Sequence, residues 1–168
     1  LLSKPQITTA YTFAEGYKTF LNEAKTEREA IHVIAEAAKK QKKKIVVNQE
    51  KSAAIVIKGK KPVRDGLRIV ISHIDSPRLD LKQVPLYQDS ESHLALFETH
   101  YYGGIKKFQW VVIPLALHGV IVKKDGKKIT FTLGEDDLDP VFSVPDLLPH
   151  LSRDIQDNKK IDEAIKAE

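Results

Sequence analysis

The hydrophobic pattern of this 168-residue chain changes its period near Lys44, and that change limits the folds the chain can adopt. Before Lys44, apolar residues recur three and four positions apart, as on one face of a helix. The two stripes are Tyr17, Phe20, Leu21 and Ala24, and then Ile31, Ile34, Ala35 and Ala38. They predict two amphipathic helices, or one helix with a break near Lys25. Thr26 and Glu29 form a capping-box pair, which marks a helix start.

After Lys44 the apolar residues stand in short runs instead of stripes. The runs are "KIVVN", "SAAIVIKGK" and "LRIVISH". Nearly continuous apolar runs of this length are typical of strands that are buried on both faces. This part of the chain therefore predicts strands of an α/β sheet.

The second half of the chain is rich in strand patterns. "LALFETHYY", "FQWVVIPLALHGVIVKK" and "KKITFTLGE" predict strands, and Asp125-Gly126 between the last two predicts a tight hairpin. "SVPDLLPHLSRDIQD" predicts a helix with Pro145 in its first turn, and the tail after it is weakly helical. The expected fold is an α/β unit over residues 1–90, followed by a mainly antiparallel β unit with a helix over residues 91–168.

Composition excludes several classes of protein. The chain has no cysteine, so disulfides and thiolate metal sites are ruled out, and His, Asp and Glu remain as metal ligands. A cysteine-free chain fits a cytoplasmic protein. No apolar stretch approaches the ~20 residues of a membrane helix, so we expect no membrane contact. Two lysine-rich runs are typical of solvated loops, and no aromatic residue is interleaved with them, so we expect no nucleic-acid partner.

His73 and Asp75 follow directly on the apolar run that starts at Leu67. Residues two apart on an extended backbone point to the same side, so Asp75 can approach the ring of His73. Carboxylates hold metal-bound histidines in this way, and ligand sites of α/β sheets lie beyond the carboxyl ends of strands. The alternative is a strand-end histidine with a capping aspartate. Spacing alone leaves both interpretations open.

The other five histidines carry weaker signals. His32 is expected at a helix surface, His93 in a polar turn and His100 among aromatic residues, while His118 is expected as a hydrogen-bonded histidine of the interior. His150 falls at the edge of the stripe of the last predicted helix. From there it can cap a cleft, reach a neighbouring subunit or face water. The stretch "HYYGGIKKFQW" predicts a glycine turn in an aromatic cluster, which forms either a small core or a subunit contact.

Three stretches together resemble the bacterial M18 metalloaminopeptidases, the group of aspartyl aminopeptidase and vacuolar aminopeptidase I. They are "SHIDSPRLDLKQVPLYQD", "THYYGGIKKFQWVVIPLALHGVIVKKDG" and "DPVFSVPDLLPHLSRDIQ". The resemblance covers essentially the whole chain. It implies a zinc peptidase with two zinc ions per complete site, in which an inserted β-rich domain interrupts an α/β catalytic domain. It also implies peptide substrates and a homo-oligomer, a dimer that assembles into a dodecamer.

The resemblance assigns roles to three residues. His73 matches the family's first zinc ligand, and Asp75 matches the catalytic-site acid that orients it. His150 matches the histidine of the inserted domain, which is described both as a zinc ligand and as a substrate contact in a partner's active site. These two roles of His150 stay open.

The chain departs from the family pattern in two ways. Family members are much longer, so the bridging aspartate, the glutamate base and the last zinc ligands are expected outside this chain. The link near Gln41–Lys44 is also abrupt, as if a segment were omitted there. The alternative function is therefore a truncated, non-catalytic binding or oligomerisation module. In either case, we expect residues 87–157 to form most of a two-fold interface, because a small β-rich section buries its own surface poorly.

Overall fold

A computed structural model describes residues 2–165 of the chain. The chain divides into two compact units, Leu1–Ser76 and Pro77–Glu168, which are described separately. Helices and antiparallel strands occur together, in agreement with the predicted α/β class. No helix within residues 2–165 combines the length and the apolar character needed to cross a bilayer.

The N-terminal unit begins with two helices, α1 (Lys4–Glu23) and α2 (Glu27–Lys40), which confirms the predicted break near Lys25. The capping box is also confirmed. The backbone N–H of Thr26 donates to Glu29 Oε2 at 2.9 Å, and the backbone N–H of Glu29 donates to Thr26 Oγ1 at 3.3 Å. These bonds satisfy two of the free backbone donors at the start of α2.

The buried part of this unit lies on one face of α2. Its members are Ala30, Ile31, Ala35 and Ala38, and Ala24 before the helix is buried as well. This face packs on α1 and on the hairpin of β1 (Lys44–Asn48) and β2 (Ser52–Val56). In contrast, α1 has no buried residue.

The strands of this unit differ from the expectation of burial on both faces. β1 and β2 form a two-stranded antiparallel sheet in which Val46, Val47 and Ile55 are exposed. The run that begins at Leu67 is not paired in a sheet, and a short 3₁₀ turn (Val63–Asp65) precedes it. A strand needs neighbouring strands to satisfy its backbone N–H and C=O groups. The described residues provide no such neighbour for this run.

The C-terminal unit contains two antiparallel hairpins. β3 (Arg78–Asp89) pairs with β4 (Leu94–Tyr102), with an irregularity between Leu81 and Leu86. β5 (Leu117–Val122) pairs with β6 (Lys128–Leu133). Gly126 has φ 81°, which confirms the tight hairpin predicted at Asp125-Gly126.

The compact unit starts before the expected boundary at residue 91. Because β3 and β4 pair across residues 90 and 91, they lie together in the unit that begins at Pro77. The domain division of a complete protein into residues 1–90 and 91–168 stays a prediction.

The last predicted helix is much shorter in the structure. It forms α3 (Pro149–Ser152), and a second short helix, α4 (Ile161–Ala164), follows it. The first turn therefore contains Pro149 and not Pro145, so that part of the prediction was wrong. Leu148 has ψ 151°, because a proline ring disfavours the helical conformation of the residue before it. The final residues of the weakly helical tail, 166–168, lie outside the described residues.

Candidate metal-binding site

His73 lies in a segment without regular secondary structure that continues the exposed apolar run. Its ring Nδ1 is 3.3 Å from the backbone oxygen of Asp75 and 3.8 Å from the carboxylate Oδ1 of the same residue. The His73 side chain is 89% exposed. The structure thus brings the two predicted site residues together, and it leaves the imidazole open.

The hydrogen bond determines which ring nitrogen is available. When Nδ1–H donates to the Asp75 carbonyl, Nε2 keeps its lone pair for another partner. This tautomer suits a histidine that binds a metal ion through Nε2. We expected the Asp75 carboxylate to orient the ring, but the nearer acceptor is the Asp75 backbone oxygen. An i, i+2 spacing places the whole residue beside the ring, and the turn geometry decides which oxygen comes closer.

The donor set of the described chain is incomplete for zinc. Within residues 2–165, no group of three or more His, Asp and Glu side chains stands close enough to hold a metal ion. Catalytic zinc sites use three protein ligands and an open position. His73 therefore fits one position of such a site, and the other ligands would have to come from outside the described residues.

His150 lies in α3 of the C-terminal unit, and its side chain is exposed. Hydrogen bonds hold the segment around it. Ser152 Oγ, which is buried, donates to Asp157 Oδ1 at 3.0 Å, and Gln156 Nε2 donates to Asp146 Oδ1 at 3.2 Å. These hydrogen bonds hold the exposed segment that carries His150.

The remaining histidines lie where their sequence context predicted. His118 Nε2 lies 2.8 Å from Glu135 Oε1 and is mostly buried, which confirms a hydrogen-bonded interior histidine. The ring of His100 stacks on Tyr101, with ring centroids 5.4 Å apart. His93 lies in a turn with φ 59°, and His32 is exposed on α2.

One cluster was missed at the sequence level. Arg78 Nε donates to Asp80 Oδ1 at 2.7 Å, and its guanidinium lies 4.2 Å from the centroid of the Tyr102 ring. The alternation of a strand could have predicted the first contact. The second depends on the β3–β4 register, which places Arg78 opposite Tyr102. Gly103 follows with φ 77°, as the predicted glycine turn requires.

Comparison with known structures identifies the class. The chain superposes on the crystal structure of an M18 family aminopeptidase from Thermotoga maritima with a TM-score of 0.85. The match has 38% sequence identity and covers 98% of this chain and 38% of that chain. The fold is therefore that of part of an M18 family aminopeptidase.

Comparison of sequences identifies the family. The sequence profile of the family described as aminopeptidase I zinc metalloprotease (M18) matches residues 21–168. A probable M18 family aminopeptidase 1 from Borrelia garinii is 42% identical over 99% of this chain and 39% of its own length. The corresponding protein of Clostridium acetobutylicum is 43% identical over 97% of this chain and 38% of its own length. The chain belongs to the M18 family.

The chain spans about two fifths of the length of these relatives. The alignment with the Borrelia protein extends over 181 positions, more than the 168 residues of this chain. The relative therefore contains residues inside the matched region that have no counterpart here. A shortened link near Gln41–Lys44 stays a prediction.

Proposed function

We propose that the complete protein, with the length of its M18 relatives, is a zinc-dependent aminopeptidase that removes N-terminal residues from peptides. The observation that carries the proposal is His73 in an M18 chain, with Nδ1 beside the Asp75 carbonyl and Nε2 open. An exposed imidazole in this tautomer fits the first ligand of a catalytic zinc ion.

The residues of this chain supply part of the active site. His73 would hold one of two zinc ions through Nε2, and Asp75 would keep the ring in orientation through its carbonyl and its nearby carboxylate. When bound, zinc lowers the pKa of a water molecule to about 7 and polarises the scissile carbonyl. The general base and the other ligands would come from the part of the M18 fold that this chain does not span.

His150 is proposed to act in a neighbouring subunit. Its exposure and the surrounding exposed side chains of Leu147, Leu148, Leu151 and Ile155 support a contact with another protein surface at this point. We favour a substrate contact in the partner's active site over direct zinc binding, because α3 holds no second metal ligand beside His150.

Exposed apolar side chains of the C-terminal unit support assembly into a homo-oligomer. Leu94, Val112 and Val141 are each more than half exposed, and apolar surface of this kind is covered by the rest of a protein or by partner subunits. We propose that residues 87–157 form most of a two-fold interface of at least ~1,000 Å². The dimers would build a dodecamer, and the protein would act in the cytoplasm.

A second candidate function is a non-catalytic binding or oligomerisation module made by the 168 residues themselves. The incomplete set of metal ligands in the described chain favours it for the isolated chain. A peptidase assay on the 168-residue chain, beside the complete protein, distinguishes the two candidates. Robust turnover by the short chain would show that these 168 residues contain a complete active site.

The test of the main proposal is the substitution His73→Ala in the complete protein. Zinc content should fall and peptidase activity should drop to background, because the first ligand of one ion is removed. His32→Ala is the control, since His32 is also an exposed histidine but lies on helix α2, outside the segment of His73 and Asp75. Wild-type activity in the His73→Ala variant would refute the assignment.

The role of His150 is also tested in the complete protein. His150→Ala should reduce turnover with little change in zinc content or in oligomer size measured by light scattering. Loss of zinc with the assembly preserved would instead make His150 a direct ligand. A monomeric protein with full activity would refute the proposed subunit contact.

A further inference from the structure

One end of the β1–β2 hairpin collects lysines from two separate parts of the sequence. Antiparallel pairing sets Lys44, the first residue of β1, opposite Val56, the last residue of β2. The lysines that precede β1 and those that follow β2 therefore lie at the same end of the hairpin. We call this surface the lysine end; its members are Lys40, Lys42, Lys43, Lys44, Lys58, Lys60 and Lys61, all exposed.

The lysines of the lysine end form no ion pairs among the described residues, whereas the turn end of the same hairpin has ion pairs. At the turn end, Arg28 Nη1 lies 2.8 Å from Glu50 Oε2, and Lys51 Nζ lies 3.5 Å from Glu27 Oε1. Among the described residues, no carboxylate forms an ion pair with a member of the lysine end. Glu36 on α2 binds Lys39 at 2.7 Å, and Lys39 and then Lys40 lower the pKa of its carboxyl, so Glu36 offsets charge only at the α2 edge of the lysine end.

Helix electrostatics explain only some of these lysines. The negative end of the α2 dipole stabilises cations in its last turn, which accounts for Lys39 and Lys40. It does not account for Lys58, Lys60 and Lys61, which follow β2. Like charges at one hairpin end repel one another, by about 1 kcal/mol for a pair roughly 4 Å apart in water, and a bound anion relieves that repulsion.

The chemistry of the lysine end selects the kind of anion. Between Lys39 and Pro62 there is neither an arginine nor an aromatic residue. The surface therefore lacks the rings that stack on bases, and its cations are ammonium groups, which bind phosphate as point charges. Arg64, which follows Pro62, lies 3.9 Å from Asp65 Oδ1. Seven flexible ammonium groups act as point charges, which suits a chain of phosphates without bases.

Shape also favours a flexible polyanion over a duplex. A DNA duplex is stiff over about 150 base pairs, so it touches a small hairpin end along one line only. A flexible chain can follow the ammonium groups of both lysine runs. We propose that the lysine end binds inorganic polyphosphate, independently of the peptidase function.

The proposal predicts binding that depends steeply on salt. Each phosphate neutralised by a lysine releases counterions, and the slope of log K against log salt concentration is about −0.7 per contact for a flexible single strand. Fluorescence anisotropy of end-labelled polyphosphate with the complete protein measures this slope between about 50 and 200 mM salt.

The test compares two triple variants with the same change in net charge. Lys43→Gln, Lys60→Gln and Lys61→Gln together should weaken binding at least about tenfold and flatten the slope by about two. The matched control is Lys123→Gln, Lys124→Gln and Lys127→Gln at the other lysine-rich hairpin, and it should change binding less than about twofold.

Several results would overturn the proposal. They are absence of polyphosphate binding at about 150 mM salt, equal losses in the two triple variants, and tighter binding of duplex DNA or of anionic vesicles than of polyphosphate. Because polyphosphate binding is measured directly, its outcome does not depend on whether the protein is an active peptidase.

Discussion

Helix α2 and the run Leu67–Ile71 are both apolar stretches of the N-terminal unit, but the chain buries only one of them. Ile31 in α2 is 4% exposed, whereas Val70 in the run is 96% exposed. The difference lies in what each element needs from its surroundings. A helix satisfies its backbone hydrogen bonds internally and needs only cover for one face.

Short local elements supply that cover for α2, because the hairpin and α1 lie on its buried side. A strand with apolar residues on both faces needs paired strands beside it and layers above and below. Only a larger sheet offers those neighbours. The run leads directly to His73, so the segment that carries the candidate ligand depends most on the rest of the protein.

The largest expected effect comes from Val70→Asp. In the 168-residue chain it should change the free energy of unfolding by less than about 0.5 kcal/mol, because the site is open to water. In the complete protein it should cost more than about 3 kcal/mol, because a carboxylate would be buried in a sheet. Urea unfolding of both proteins measures the two values. Similar values in both would mean that the run stays exposed.

Truncation in α2 gives the next effect. Ile31→Ala should lower the free energy of unfolding by about 2–5 kcal/mol, because it removes buried methylene groups and leaves a cavity. Ile7→Ala on α1 is the control, with an expected loss below about 1 kcal/mol, since Ile7 is exposed in the described structure. Equal losses at the two positions in the 168-residue chain would contradict the observed core.

Removal of the helix cap has a smaller effect. Thr26→Ala should cost about 1 kcal/mol, because the backbone N–H of Glu29 loses its acceptor at the start of α2. Thr12→Ala lies inside α1, where its hydroxyl donates to the Thr8 carbonyl, and it should be close to neutral. Thermal unfolding monitored by circular dichroism compares the variants. A larger loss for Thr12→Ala would reverse the assigned roles.

The smallest effect concerns the β3–β4 turn. The Ser92 hydroxyl, and then the Ser92 backbone N–H at 2.9 Å, hydrogen-bond to Asp89 and hold the pKa of its carboxyl below the usual 3.8. A lowered pKa stabilises the fold above pH 3.8, and this stabilisation is lost as the pH falls through the lowered value.

Asp89→Asn removes the ionisable group from this turn. The amide NMR shift of Ser92 should titrate below pH 3.8 in the wild type and become flat in the variant. A titration of Ser92 that persists in Asp89→Asn would assign the effect to another acid.

Local patterns were sufficient for several elements of the fold. The break between α1 and α2, the Thr26 cap and the Asp125-Gly126 hairpin were all predicted, because each depends on residues within a few positions of one another. The start of α3 at Pro149 was also a local signal, which was misread. A proline keeps the residue before it extended, so the helix begins at Pro149 and could not begin at Pro145.

The sequence by itself determined that His73 and Asp75 would lie side by side, because two residues of an extended chain share a face. The local turn after His73 decided that the Asp75 carbonyl is nearest to Nδ1. The tertiary structure decided that Arg78 meets Tyr102 and that two lysine runs share one hairpin end. These contacts depend on turn geometry and on strand register. Register joins residues far apart in sequence, and a slip of one residue would turn every side chain to the other face.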